Sequence, residues 1–244
     1  MVRLVRLLRT SIGRKLLVAV TGLAMGLFVI GHLLGNLLLF KGPEAFNGYA
    51  DYLKGHPLLW VSRIGLLVVL IVHVVTAMRL YRENRAARPQ RYVVDATVEA
   101  SFASRHMVFS GLLVLAFVVY HLLHLTVGVI EPDVFREMHA KSRPDVYGMV
   151  VHSFSSLWIA ISYVVAMLLL GMHLIHGFLS FLRTVGVHHE SYNALIRIVG
   201  PVLVIVIITG FCSIPLGVYL GVIQARPDLA AIQMTQVLLP GAQP

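Results

Sequence analysis

Five apolar stretches dominate this 244-residue chain, at roughly 16–40, 58–80, 106–130, 149–182 and 198–222. Each reaches the ~20 residues that a helix needs to cross the hydrocarbon core of a bilayer. Apolar runs this long, without strict alternation, are helices. The expected fold is therefore all-α: a polytopic membrane protein whose five-helix bundle occupies residues 1–222, followed by a tail at 223–244. Residues 41–57 carry turn chemistry in Gly42, Pro43, Asn47 and Gly55, while 81–105 and 131–148 are charged connectors. The fourth stretch is long enough to tilt or to project from the membrane. Pro201 suits an early turn of the fifth helix, and Pro215 is expected to kink its far end. No low-complexity tract or convincing repeat stands out.

Composition agrees. The chain is 58% hydrophobic and 13% charged, where soluble domains run near ~25% charged. Little is left over for a soluble domain. The net charge of +9 does not point to nucleic acid, because the basic residues cluster at span ends, where they act as topology signals facing anionic lipid. The single cysteine, Cys212, excludes an internal disulfide, a CxxCH haem-attachment motif and an iron–sulfur cluster held by this chain alone. The basic N-terminus precedes an apolar run too long for a signal peptide, so it reads as a retained first span. Residues 1–15, 79–105 and 183–197 hold thirteen of the twenty Lys and Arg. Those segments are expected in the cytoplasm, with the N-terminus inside and the C-terminus outside an inner (cytoplasmic) membrane.

Four histidines, His32, His73, His121 and His173, lie inside four successive apolar stretches. An ionisable side chain in a membrane span carries a functional reading by default. With the helices oriented, His32 and His121 fall in the outer half of the membrane, about 16 and 15 residues along outward-running helices that rise ~1.5 Å per residue. His73 and His173 fall in the inner half. Each depth-matched pair comes from two different helices, as two bis-histidine, non-covalent haems b would require. Gly22, Gly26, Gly31, Gly35, Gly111, Gly171 and Gly177 surround these positions, and Gly22–His32 has the same spacing as Gly111–His121. Small residues also mediate plain helix contacts. His124 and His176, three residues further on, compete for ligation. Arg105 and His106 are candidates for binding a propionate of the inner haem or for anchoring the third span.

These features resemble the di-haem cytochrome b membrane anchor of succinate:quinone oxidoreductases, of the type with one five-helix polypeptide. The resemblance covers about residues 11–222. It rests on GHLLGN with His32, the loop GPEAFNGYADYL (42–53), HVVTAMR with His73, the Gly111–His121 spacing, and HLIHGFLSFLRTVG with His173. The family's spacing selects His121 over His124 and His173 over His176. The resemblance implies two haems b and a quinone, menaquinone or ubiquinone. It also implies a flavoprotein subunit and an iron–sulfur subunit docked on the cytoplasmic side, where succinate and fumarate are interconverted. Asn47, Tyr49, Asp51 and His56 are candidates for the quinone site on the outer side. Ser11, Arg14, Arg79 and His106 are the inner alternative. Some relatives carry an acidic residue two positions before the fourth-span ligand. Here that position is Gly171, and no Asp or Glu lies mid-membrane. The competing expectations are an anchor for another respiratory oxidoreductase, of hydrogenase or formate dehydrogenase type, and a histidine-relay transporter. The transporter would need discontinuous helices and intramembrane acidic groups.

Overall fold

The computed structural model describes residues 10–87, 106–141, 143–187 and 189–224. Among these the regular structure is helical, with no strand. Helix α1 (Ser11–Asn36) passes into a 3-10 turn (Leu37–Lys41), followed by α2 (Pro43–Gly55), α3 (Leu58–Ala86), α4 (Met107–Leu125), α5 (Pro132–Ala140), α6 (Val146–Ser155), α7 (Leu157–Thr184) and α8 (Glu190–Tyr219). Five of these, α1, α3, α4, α7 and α8, are long and apolar enough to cross a membrane. The chain is a multi-pass membrane protein.

Local chemistry sets the helix ends. Thr10 caps α1 by accepting a hydrogen bond from the Gly13 amide at 3.0 Å. The 3-10 turn closes on Gly42 at φ +94°, a conformation that favours glycine. Pro43 and Glu44 then open α2, with the acid suited to the positive end of the helix dipole. Asp145 caps α6 by accepting from the Gly148 amide at 2.9 Å.

The third and fourth stretches depart from their sequence boundaries. Helix α4 stops at Leu125 rather than near 130. Thr126 and Val127 lead into Gly128 at φ +73°, which turns the chain away. The fourth stretch, expected as one span over 149–182, is two helices. Ser156 adopts an extended conformation (φ −78°, ψ 121°), separating α6 from α7. Tyr147, Met149, Val150, Val151, Ser153 and Phe154 of α6 are buried, so its apolar character answers to protein rather than lipid. The fifth helix starts at Glu190, so Pro201 sits well inside it and not in its first turn.

The chain packs as two compact units. One comprises Met1–His32, His56–Ala116 and Ala166–Thr209. Within its described part, Arg14 pairs with Glu83 at 2.8 Å and ties α1 to α3. Gly171 lets α7 approach α8, since a Cβ there would lie 3.1 Å from Ile208 Cγ1. Val61, Ile64, Leu67, Val68 and Ile71 of α3 are exposed, as expected of a helix facing lipid.

The other unit comprises Leu33–Gly55, Phe117–Val165 and Gly210–Pro244. It holds a buried apolar cluster that includes Leu39, Phe46, Tyr147, Phe154, Tyr163, Ile214 and Val218. Its aromatic rings meet edge-on, Phe154 against Tyr163 at 4.8 Å and Phe46 against Tyr147 at 6.5 Å. Such pairs contribute about 0.5–1.5 kcal/mol each beyond the area they bury.

Candidate functional site

Two of the four membrane histidines are held by the same device. In the first unit, His73 of α3 lies against Thr21 and Gly22 of α1. Its Nδ1 is 3.0 Å from Thr21 Oγ1. The Thr21 hydroxyl donates to the Leu17 carbonyl at 2.7 Å, with the Val18 carbonyl at 3.1 Å. A hydroxyl has one proton to give. Thr21 therefore presents a lone pair to His73, and the imidazole Nδ1–H is the donor. A Cβ on Gly22 would lie 3.2 Å from His73 Cε1, so the glycine admits the ring to the helix backbone.

His173 of α7 meets α4 in the same way. Ser110 Oγ donates to the Met107 carbonyl at 3.0 Å and accepts from His173 Nδ1 at 3.4 Å. A Cβ on Gly111 would lie 3.1 Å from His173 Cε1. Thr21 and Ser110 are both buried, and His73 lies within electrostatic range of His173. Both rings thus carry the proton on Nδ1 and the lone pair on Nε2. An imidazole binds a metal in this form, with a second partner holding its other nitrogen.

The hydroxyls of Thr21 and Ser110 do not stand out in the sequence by hydropathy. Their signal is a gapless match between α1 and α4. Thr21, Gly22, Phe28, Val29, His32, Leu33 and Leu34 correspond to Ser110, Gly111, Phe117, Val118, His121, Leu122 and Leu123. The chain therefore contains a repeat that hydropathy alone does not reveal. It becomes recognisable once both hydroxyl–glycine steps are seen to receive a histidine.

His32, also in the first unit, stacks on Phe28 one turn earlier, with centroids 5.4 Å apart at 15°. His121 stands at the equivalent place in the second unit, tilted against Phe117 at 5.9 Å. Its Nδ1 is 3.4 Å from Tyr163 Oη.

His124 is in a different situation. It is 2% exposed, and both ring nitrogens have protein partners. Nδ1 is 2.9 Å from Tyr163 Oη. Nε2 is 2.9 Å from Glu131 Oε2 and 3.2 Å from Ser153 Oγ. Ser153 also donates to Glu131 at 2.6 Å. Glu131 adopts the left-handed conformation, φ 58° and ψ 55°, which costs a non-glycine residue about 1–2 kcal/mol. Burial pushes its carboxyl up. The hydrogen bonds from Ser153 and His124, with the nearby imidazoles of His124 and His152, outweigh burial and hold it below the usual carboxylate range.

The loop candidates have structural partners. Asn47 donates to Asp145 at 3.0 Å and accepts from the Tyr147 amide at 2.9 Å, pinning α2 to α6. The Tyr49 ring packs on Gly35. Asp51 pairs with Arg143. His56 accepts from the Leu58 amide at 3.2 Å, at the start of α3. His106 is exposed before α4, and Arg105 lies outside the described residues. Among the described residues no three His, Cys, Asp or Glu side chains converge as a metal cluster. No protein-family model, curated protein or solved structure matches the chain significantly.

Proposed function

We propose that this chain is the di-haem cytochrome b membrane anchor of a succinate:quinone oxidoreductase. In this reading His73 and His173 are the axial ligands of an inner haem b, and His32 and His121 those of an outer one. The observation that carries the reading is the paired hydroxyl–glycine device. Twice, within apolar helices, the Nδ1 of a histidine faces a hydroxyl whose own proton goes to a backbone carbonyl, which leaves the lone pair on Nε2. Bis-histidine haem needs two such rings and no third protein ligand. The donor set therefore fits a haem, while a structural zinc site would require four ligands.

The outer pairing rests on helix depth and on the family spacing. His124 supports it from the other direction, since its two ring nitrogens already serve Tyr163 and Glu131. The bound haems would supply one-electron carriage across most of the membrane. The chain's own residues would hold the ligands, and Thr21 and Ser110 would fix the tautomers of His73 and His173. Electrons would pass between an iron–sulfur subunit and a membrane quinone, with the flavoprotein subunit handling the dicarboxylate. Arg79, Arg82 and Arg85, exposed at the end of α3, are the docking surface proposed for those subunits. The N-terminus is placed in the cytoplasm and the C-terminus outside the inner membrane.

A reduced-minus-oxidised visible spectrum of the purified protein tests the reading. Low-spin haem b at two per chain is expected. His73→Ala and His173→Ala should each remove the same single haem. A colourless protein would refute the proposal.

A further inference from the structure

The two ends of the α1/α4 repeat are finished differently. At the hydroxyl–glycine steps, a neutral threonine or serine accepts from the histidine, and its own proton goes to a backbone carbonyl. His121 instead leads into a hydrogen-bonded row that ends on a carboxylate. His124 Nε2–H donates to Glu131 at 2.9 Å. With that proton on Nε2, His124 Nδ1 accepts from the Tyr163 hydroxyl at 2.9 Å. Tyr163 Oη then accepts from His121 Nδ1–H at 3.4 Å. Every donor in the row points toward Glu131.

Several features show that this row is built. Among the described residues of the unit, His124 and Ser153 are the most deeply buried polar side chains, at 2% and 1% exposure. Ser153 donates to the same Glu131 oxygen. Glu131 accepts a left-handed backbone to bring its carboxylate there. Rows of hydrogen bonds in a low-dielectric setting polarise one another, and a partner on the far nitrogen of a ligating histidine raises that ligand's basicity.

We infer that Glu131, His124 and Tyr163 form an anionic relay that strengthens His121 as a haem ligand and lowers the midpoint potential of its haem relative to an otherwise similar site. The inference rests on the functional reading above. Under it, the three are positioning residues that act through His121. They make the haem held by His121 electronically distinct from the haem held by His73 and His173, whose partners are neutral hydroxyls.

Redox titration of the purified protein with both haems bound provides the test. Glu131→Gln keeps the shape and removes the charge, and Tyr163→Phe keeps the ring and removes the link. Each should raise one midpoint by about tenfold in the reduction equilibrium, ~59 mV for a one-electron couple. The other midpoint should stay in place. The haem that shifts should be the one that survives His73→Ala. A purely structural role would change haem content or helicity without this selective shift. Two bound haems with unmoved midpoints in Glu131→Gln would overturn the relay alone. A shift confined to the haem lost in His73→Ala would also overturn it. A protein without haem would overturn the functional reading and the relay with it.

Discussion

Thr21 gives its only proton to the Leu17 carbonyl, and the consequence reaches His73, whose Nδ1 must then donate. Ser110 does the same for His173 through the Met107 carbonyl. In apolar surroundings an imidazole nitrogen without such a partner would be costly, and the ring would be free to flip. Removing the acceptor should therefore loosen whatever Nε2 holds. Thr21→Val and Ser110→Ala are each expected to weaken haem retention about 10–100-fold, measured as haem per chain against increasing competitor apoprotein. Thr21→Ser should retain it. Equal retention in Thr21→Val and wild type would remove the hydroxyl from the argument. Gly171 is a residue-scale case of a different kind. It is buried against Ile208 and Val204 of α8. A Cβ there would lie 3.1 Å from Ile208 Cγ1, so an acidic side chain would require the Ile208 side chain to shift.

At the scale of elements, the turn after α4 does most to shape the second unit. Gly128, at φ +73°, ends the helix, and the Phe135 side chain of α5 packs over it. Glu131 follows in its own left-handed conformation, and Pro132 starts α5. Gly128→Ala would drive a Cβ into the Phe135 ring in a backbone region that L residues avoid. A loss of about 1–3 kcal/mol is expected, read as a lower unfolding midpoint in detergent, with weakened contact between His124 and Glu131. An unchanged midpoint would show that Phe135 and the turn can rearrange freely. The break at Ser156 also belongs to this scale. Hydropathy summed over 149–182 cannot distinguish burial in protein from burial in lipid, and α6 satisfies the first while α7 satisfies the second.

For the whole molecule, charge and acid lability make two testable statements. With Cys212 replaced by Ser, single cysteines at Lys54 and at Arg85 should report opposite sides of the membrane. An impermeant thiol reagent added to whole cells should label Lys54→Cys and leave Arg85→Cys unlabelled until the membrane is opened; the reverse pattern would invert the topology. Acid should loosen the second unit. Burial pushes the Asp145 carboxyl up, but Asn47, the Gly148 amide and Lys141 hold it lower than usual, as Ser153, His124 and His152 do for Glu131. A carboxyl lowered on folding stabilises at pH above its unfolded value, about 4, and that contribution disappears as pH falls through the lowered folded value. Thermal midpoints in detergent should hold steady from pH 7 to 5 and fall below about 4. The double variant Glu131→Gln, Asp145→Asn should flatten that fall. A profile equally steep in the double variant would place the acid sensitivity elsewhere.

The sequence by itself determined the solvent and the element type. Apolar length admits only helices in a bilayer, and charge bias at their ends assigns expected sides. It also exposed His32, His73, His121 and His173, because a histidine in an apolar run is conspicuous. What it could not assign was the partner of each ring nitrogen, since hydrogen bonds such as Thr21–His73 and His124–Tyr163 join residues 52 and 39 positions apart. Those separations follow no helical period and leave no local pattern. The tertiary structure decided that Thr21 and Ser110 set two tautomers, that His124 is committed to Tyr163 and Glu131, and that Asn47 and Asp51 serve α6 and Arg143. The physical reason is that hydropathy records how much apolar surface a segment has. The directional bonds that define a ligand exist only once separate helices are brought together.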